Sequence, residues 1–208
     1  QRNYGSEGTP YRYEPKAYGE FELPYNDPLL PDQWHYINNV DLSVAQTSRE
    51  GADINVKEAW KLCAGDPEII VAVCDEGVKY TNPDLIDNMW VNAGEIPDND
   101  IDDDGNGYVD DIHGWNFLST SEYPKDITWN EDGDRGHGTH VAGTVAAVNN
   151  NGIGVGGVAG GSGNGDGVRI MSCQVFSGNS SATVASRAKA YEYAANNGNA
   201  DAMYNLAM

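Results

Sequence analysis

The sequence predicts an α/β fold built on a parallel sheet, and three observations carry that expectation. Ile69-Ile70-Val71-Ala72-Val73-Cys74 is continuously apolar and rich in β-branched residues, as in a strand covered on both faces. A second such run extends from Val168 to Phe176. Stripes of small and apolar residues at helical spacing alternate with these runs, and strand–helix–strand alternation places parallel strands under covering helices.

Along the chain, residues 1–25 are rich in Gly, Tyr, Pro and Glu without a clear period, and read as an arm or linker. Asn55 followed by Glu58 makes a capping-box pattern ahead of a helix whose apolar stripe is Val56, Ala59, Trp60 and Cys63. Asp66-Pro67 turns the chain into a strand from Glu68 to Cys74. An acidic loop runs from Glu95 to Asp111. A small-residue helix is expected from His137 to Val148, and a strand from Val168 to Phe176. Then comes a helix from Ser181 to Asn197, with Val184, Ala188, Tyr191 and Ala195 on one face and Gly198 as its stop. Ala200 to Met208 has the pattern of a further strand.

Composition narrows the function. Twelve Lys and Arg stand against 32 Asp and Glu in 208 residues, a formal charge of −20. Such a surface repels phosphate backbones, so a general nucleic-acid binder is excluded and cations become the natural partners. No apolar run approaches the ~20 residues needed to cross a bilayer. Cys63, Cys74 and Cys173 lack metal-ligand spacing and make no disulfide framework; they read as buried thiols.

Two residues carry the candidate chemistry. Asp75 ends the first strand, at the sheet edge where open α/β folds place their ligands; a carboxylate capping the next turn is the plainer alternative. His137 stands between glycines at a predicted helix start, where the macrodipole disfavours the imidazolium. A carboxylate on its second ring nitrogen would offset that and fix the tautomer, and Asp75 is the candidate. His137 and His140 also form an H-x-x-H pair, but no third ligand stands out. His140, His35 and His113 read as structural residues.

Seven aspartates crowd the stretch from Asp98 to Asp111. Asp100, Asp102, Asp104 and Asn106 fall at positions 1, 3, 5 and 7 of a calcium loop. Gly105 supplies the turn at position 6, and Asp111 stands at position 12. A solvated charge run is the alternative. Gly154-Val155-Gly156-Gly157-Val158-Ala159 fits a loose dinucleotide fingerprint but follows a helix instead of a strand, and there is no P-loop.

Several segments together resemble the subtilisin-like serine peptidases (subtilases). They are Val71-Ala72-Val73-Cys74-Asp75-Glu76-Gly77-Val78, Asn82-Pro83-Asp84-Leu85, Gly136-His137-Gly138-Thr139-His140-Val141-Ala142-Gly143-Thr144, and Gly152-Ile153-Gly154-Val155-Gly156-Gly157-Val158-Ala159. Asn26-Asp27-Pro28 and Gln33-Trp34-His35-Tyr36 resemble the start of the mature family domain. The resemblance implies a three-layer fold over residues 26–208 that lacks its C-terminal part. It implies a peptide-hydrolysing serine endopeptidase with Asp75 orienting and His137 as general base.

No Gly-Thr-Ser-x-Ala motif with the nucleophile follows His137, so this stretch by itself is expected to be inactive. A longer parent chain or a second polypeptide would supply the serine. Where the family has Ser or Thr after the aspartate, Glu76 stands here. Leu206, Ala207 and Met208 fall where the family's substrate-pairing strand lies. The resemblance further implies a structural calcium held by Asp27, Asp84, the Asn151 side chain and the carbonyls of Val148, Ile153 and Val155. A polypeptide substrate or pro-segment is the implied partner, and secretion or the cell envelope the implied location. The alternative is a non-catalytic, calcium-stabilised module that binds peptides or a partner protein.

Overall fold

The computed structural model describes residues 23–38, 40, 47, 49–118, 127–128, 136–177 and 180–198. Three parallel strands form the main sheet: β1 (Ile70–Asp75), β2 (Gly114–Asn116) and β3 (Arg169–Gln174), in the order β1-β3-β2. Their register sets Asp75 opposite Gln174, and Asn116 opposite the same Gln174, so three polar residues align at the C-terminal edge.

Alternation along β3 explains the layering. Ile170 points to one face, where α2 (His137–Ala146) packs with Val73, Val78, Leu85 and Met89. Met171, Cys173 and Val175 point to the other face, where α3 (Val184–Asn197) contributes Ala190, Tyr193 and Ala194. The sheet is thus covered on both sides, as its unbroken apolar runs require. A third cluster of Leu30, Tyr36, Ile37, Val56 and Trp60 lies under the start of the described chain, with Leu23 and Tyr25 against it. The Tyr36 hydroxyl donates to the Thr144 carbonyl, and Trp60 Nε1 donates to the Val158 carbonyl, tying this cluster to the region of α2.

Several expectations shift. The first helix, α1, is only Val56–Trp60, and Asn55 does not cap it with its side chain. Asn55 sits in left-handed backbone (φ 54°), with its amide donating to Asp53 Oδ1. Beyond this short helix Cys63 is exposed, so it is not a buried thiol; Cys173 is buried and Cys74 intermediate. The helix expected to reach Val148 ends at Ala146. Ala147 turns extended and the Val148 amide donates to the Asp84 carbonyl. The last helix starts at Val184 instead of Ser181, because Thr183 is the residue whose hydroxyl accepts the Ser186 amide. Ser181 lies in β5 (Ser180–Ser181), which pairs antiparallel with β4 (Phe176–Ser177). The strand expected over 200–208 lies outside the described residues, as do residues 1–22 of the expected arm.

Candidate active site

β1 delivers Asp75 and the start of α2 delivers His137. His137 Nδ1 lies 2.7 Å from Asp75 Oδ1, which also accepts the Glu76 amide at 2.7 Å. With Asp75 ionised, this pair assigns the Nδ1 hydrogen to His137 and leaves Nε2 as the basic nitrogen. The aspartate side chain is 12% exposed and the histidine 49%, so the carboxylate is enclosed while the ring stays accessible. Phe176, just past β3, flanks the imidazole at 6.3 Å between ring centres.

Close backbone approach makes this possible. A Cβ on Gly138 would lie 2.5 Å from the Gly77 carbonyl oxygen, so α2 seats directly on the turn that follows Asp75. The Val78 amide donates to Ser172 Oγ, and the Lys79 amide to Thr139 Oγ1, which clamps that turn between β3 and α2. Glu76 is buried at 2% exposure immediately beside Asp75. His140 and His35 do not join His137; they line a separate cavity of about 610 Å³ with Lys79, Asn82 and Thr144. His113 Nδ1 is engaged by the Trp90 carbonyl.

The acidic loop folds inward. Carboxylate oxygens of Glu95, Asp104 and Asp111 all lie within 4.8 Å of one another. Asp111 is wholly buried, and its oxygens accept from Asn92 Nδ2, Asn106 Nδ2 and the Tyr193 hydroxyl. Burial outweighs those donors and pushes the Asp111 carboxyl above its usual range. Glu95 also accepts the amides of Asp103, Asp104 and Asp110. Asp102 accepts the Asn106 and Gly107 amides and serves the turn, and Asp110 accepts the Asp100 amide. Among the described residues the converging trio is Glu95, Asp104 and Asp111, without Asp100 or Asp102. Asp98, Asp100 and Asp110 take left-handed backbone, which aspartate tolerates better than most residues. Glu95 and Asn92 escape a calcium-loop reading because that spacing looks only forward from its first aspartate. The donor set is all hard oxygen, with Glu95 and Asp111 buried and Asp104 exposed, which fits a calcium ion.

Of the second expected group, Asp27, Asp84 and Asn151 meet on one loop. Asp27 accepts the amides of Asn150 and Asn151, and Asp84 accepts Asn151 Nδ2 and the Val155 amide. Asn151 Oδ1 accepts the Ile153 amide, and the Val148 amide meets the Asp84 carbonyl. Burial raises the Asp84 carboxyl, and the charge of Asp27 adds to that. Asp27 and Asp84 are two buried carboxylates held by one loop, hard oxygen donors of the kind a calcium ion takes. Leu206, Ala207 and Met208 lie outside the described residues.

The model of the Subtilase family matches residues 66–207, more than half of the chain. The chain belongs to the subtilase family. This subtilase is similar to Subtilisin-like protease 1 of Plasmodium berghei, at 36% identity over 135 residues, covering 64% of this chain and 19% of that protein. It is similar to Neuroendocrine convertase 2 of Bos taurus at 32% identity over 138 residues, covering 66% of this chain and 18% of that protein. Among solved structures it resembles the serine protease of Aeromonas sobria in complex with its chaperone. That match has a TM-score of 0.58 and 26% identity, over 84% of this chain and 24% of that one. A protease of Pseudoalteromonas arctica matches with a TM-score of 0.51 and 25% identity, over 85% of this chain and 45% of that one. The chain spans about a fifth of the length of the curated relatives it matches. Among the described residues, no helix is long and apolar enough to cross a membrane.

Proposed function

We propose that this subtilase stretch supplies the aspartate and histidine of a serine endopeptidase, completed by a serine contributed from outside these 208 residues. The 2.7 Å contact between His137 Nδ1 and Asp75 Oδ1 is the observation that carries the reading. Asp75 holds the ring in the tautomer that leaves Nε2 basic. Nε2 takes the serine proton as the hydroxyl attacks the peptide carbonyl, and the carboxylate stabilises the resulting imidazolium. The same nitrogen then returns the proton to the leaving amine.

A peptidase domain over residues 26–208, after an arm over residues 1–25, is the domain reading that goes with this function. Calcium is its proposed cofactor. One ion would be held by Glu95, Asp104 and Asp111. A second would be held by Asp27, Asp84 and Asn151 with the Val148, Ile153 and Val155 carbonyls. When bound, calcium supplies the positive charge these carboxylates face, fixing the two loops. A polypeptide substrate is the proposed ligand, and a folded pro-segment or chaperone the proposed partner, since the Aeromonas sobria protease is described in complex with a chaperone. Secretion or the cell envelope is the location that suits a calcium-stabilised peptidase.

Buried Glu76 beside Asp75 favours one other reading, in which the pair is retained in a binding module without catalysis. Peptide hydrolysis by the full-length protein, compared with His137→Ala and Asp75→Asn, decides between them. The peptidase reading expects losses of about 10³–10⁴ or more in kcat. Binding of peptides with no turnover, in parent and variants alike, would establish the module instead.

A further inference from the structure

Two of the three cysteines meet inside the sheet. Cys74 on β1 and Cys173 on β3 are register partners in a parallel pair, so their side chains leave the same face. That face is the α3 side, where Cys173 is wholly buried and Cys74 packs against the same cluster from a partly exposed position. Register partnership sets the two side chains beside each other on that face. Interaction with Cys173 holds the Cys74 thiol below its usual range, while interaction with Cys74 and then burial push the Cys173 thiol well up.

Neighbouring strands lie about 4.8 Å apart, inside the Cα separation of about 4.4–6.8 Å that a disulfide spans. The Cβ separation a disulfide needs, about 3.8 Å, is roughly 1 Å shorter than same-facing side chains on adjacent strands hold. A bond closed here draws the strands together and is strained, and strained disulfides are the easily reduced ones.

We propose that Cys74 and Cys173 form a reversible modification site, closed to a disulfide by a small peroxide and reopened by thiol reductants, one residue before Asp75. The Cys74 thiolate attacks one peroxide oxygen. The O–O bond breaks, and the departing hydroxide takes a proton to become water. The Cys173 sulfur then attacks the resulting Cys74 sulfenic acid; the S–O bond breaks and a second water leaves. Two thiols and one hydrogen peroxide thus give one disulfide and two waters. The bond forms whether or not the chain takes part in peptide hydrolysis. Its effect on the Asp75–His137 contact is a separate consequence that rests on the peptidase reading.

The test treats the full-length protein with hydrogen peroxide, then denatures and alkylates it and maps the cysteines by mass spectrometry. The expected result is a Cys74–Cys173 cross-linked peptide, lighter by two hydrogens and lost after dithiothreitol. Cys63→Ser should keep the cross-link. Cys173→Ser should stop the reaction at a Cys74 sulfenic acid that dimedone traps. Full alkylation of Cys74 and Cys173 under peroxide that oxidises exposed Cys63 would overturn the proposal. So would over-oxidation of Cys74 while Cys173 remains a free thiol. On the oxidised protein, an unshifted His137 imidazole proton signal would leave the disulfide standing and refute only its coupling to the site.

Discussion

Replacing Gly138 with alanine tests how the candidate pair is held. The new methyl carbon would stand 2.5 Å from the Gly77 carbonyl oxygen, against 3.4 Å or more for ordinary contact, so about 0.9 Å of movement is required. The Gly77 turn has no room to retreat, because a Cβ on Gly77 would itself lie 2.2 Å from the Thr128 carbonyl. The start of α2 therefore moves, carrying His137 with it. If that displacement lies along the 2.7 Å bond, Nδ1 and Oδ1 separate to about 3.6 Å, which is no longer a hydrogen bond. Overpacking of this kind costs about 1–3 kcal/mol, and a misplacement of this size costs on the order of 10²-fold in rate. Gly143 on the same helix is the control. Nothing lies within 4 Å of its added Cβ, so Gly143→Ala should be neutral or stabilising by about 0.5–1 kcal/mol. Denaturant unfolding, the His137 imidazole proton resonance and peptide turnover read the two variants. A Gly138→Ala protein with parental stability and an unchanged imidazole resonance would mean that the close Gly138–Gly77 approach does not hold His137 in place.

Chelating calcium should lower the melting temperature, since a ligand bound only by the native state stabilises it by about 2.7 kcal/mol at 100 times its Kd. Glu95→Gln should weaken calcium binding measured by calorimetry, and an unchanged affinity would remove Glu95 from the ligand set. Tyr193→Phe removes the hydroxyl that donates to fully buried Asp111 and should cost about 1.5–3 kcal/mol in urea unfolding, as hydrogen bonds to charged groups do. Burial pushes the Tyr36 hydroxyl up to about 12 from 10.0. The folded protein therefore holds that proton longer than the unfolded chain. The stability this represents is present in full below pH 10 and is lost as pH rises toward 12, on the order of 2–3 kcal/mol. Tyr36→Phe should flatten the alkaline limb of the stability curve, and a limb of unchanged slope would contradict it.

What could be read in the sequence was what repeats a pattern over several residues. The apolar runs of β1 and β3 and the small-residue face of α2 announce themselves, because burial on two faces or along one stripe dictates each residue in turn. β2 did not, since Gly114-Trp115-Asn116 is a three-residue strand with no alternation to detect. Asp75 and His137 were legible as partners through their places at a strand end and a helix start. Glu95 was not, because it meets Asp104 and Asp111 only after the loop has folded back on itself. The pairing of Cys74 with Cys173 was hidden for the same reason. Register between strands 99 residues apart is a property of the sheet and not of either run.

Reaction of the full-length protein with a fluorophosphonate probe, followed by intact mass, reads whether the Asp75–His137 pair activates a serine. The expected result is one adduct on one serine, formed at a rate that falls on the order of 10³-fold or more in His137→Ala and in Asp75→Asn. No adduct, or labelling that ignores both substitutions, would mean that the Asp75–His137 pair activates no nucleophile and that the peptidase reading is wrong.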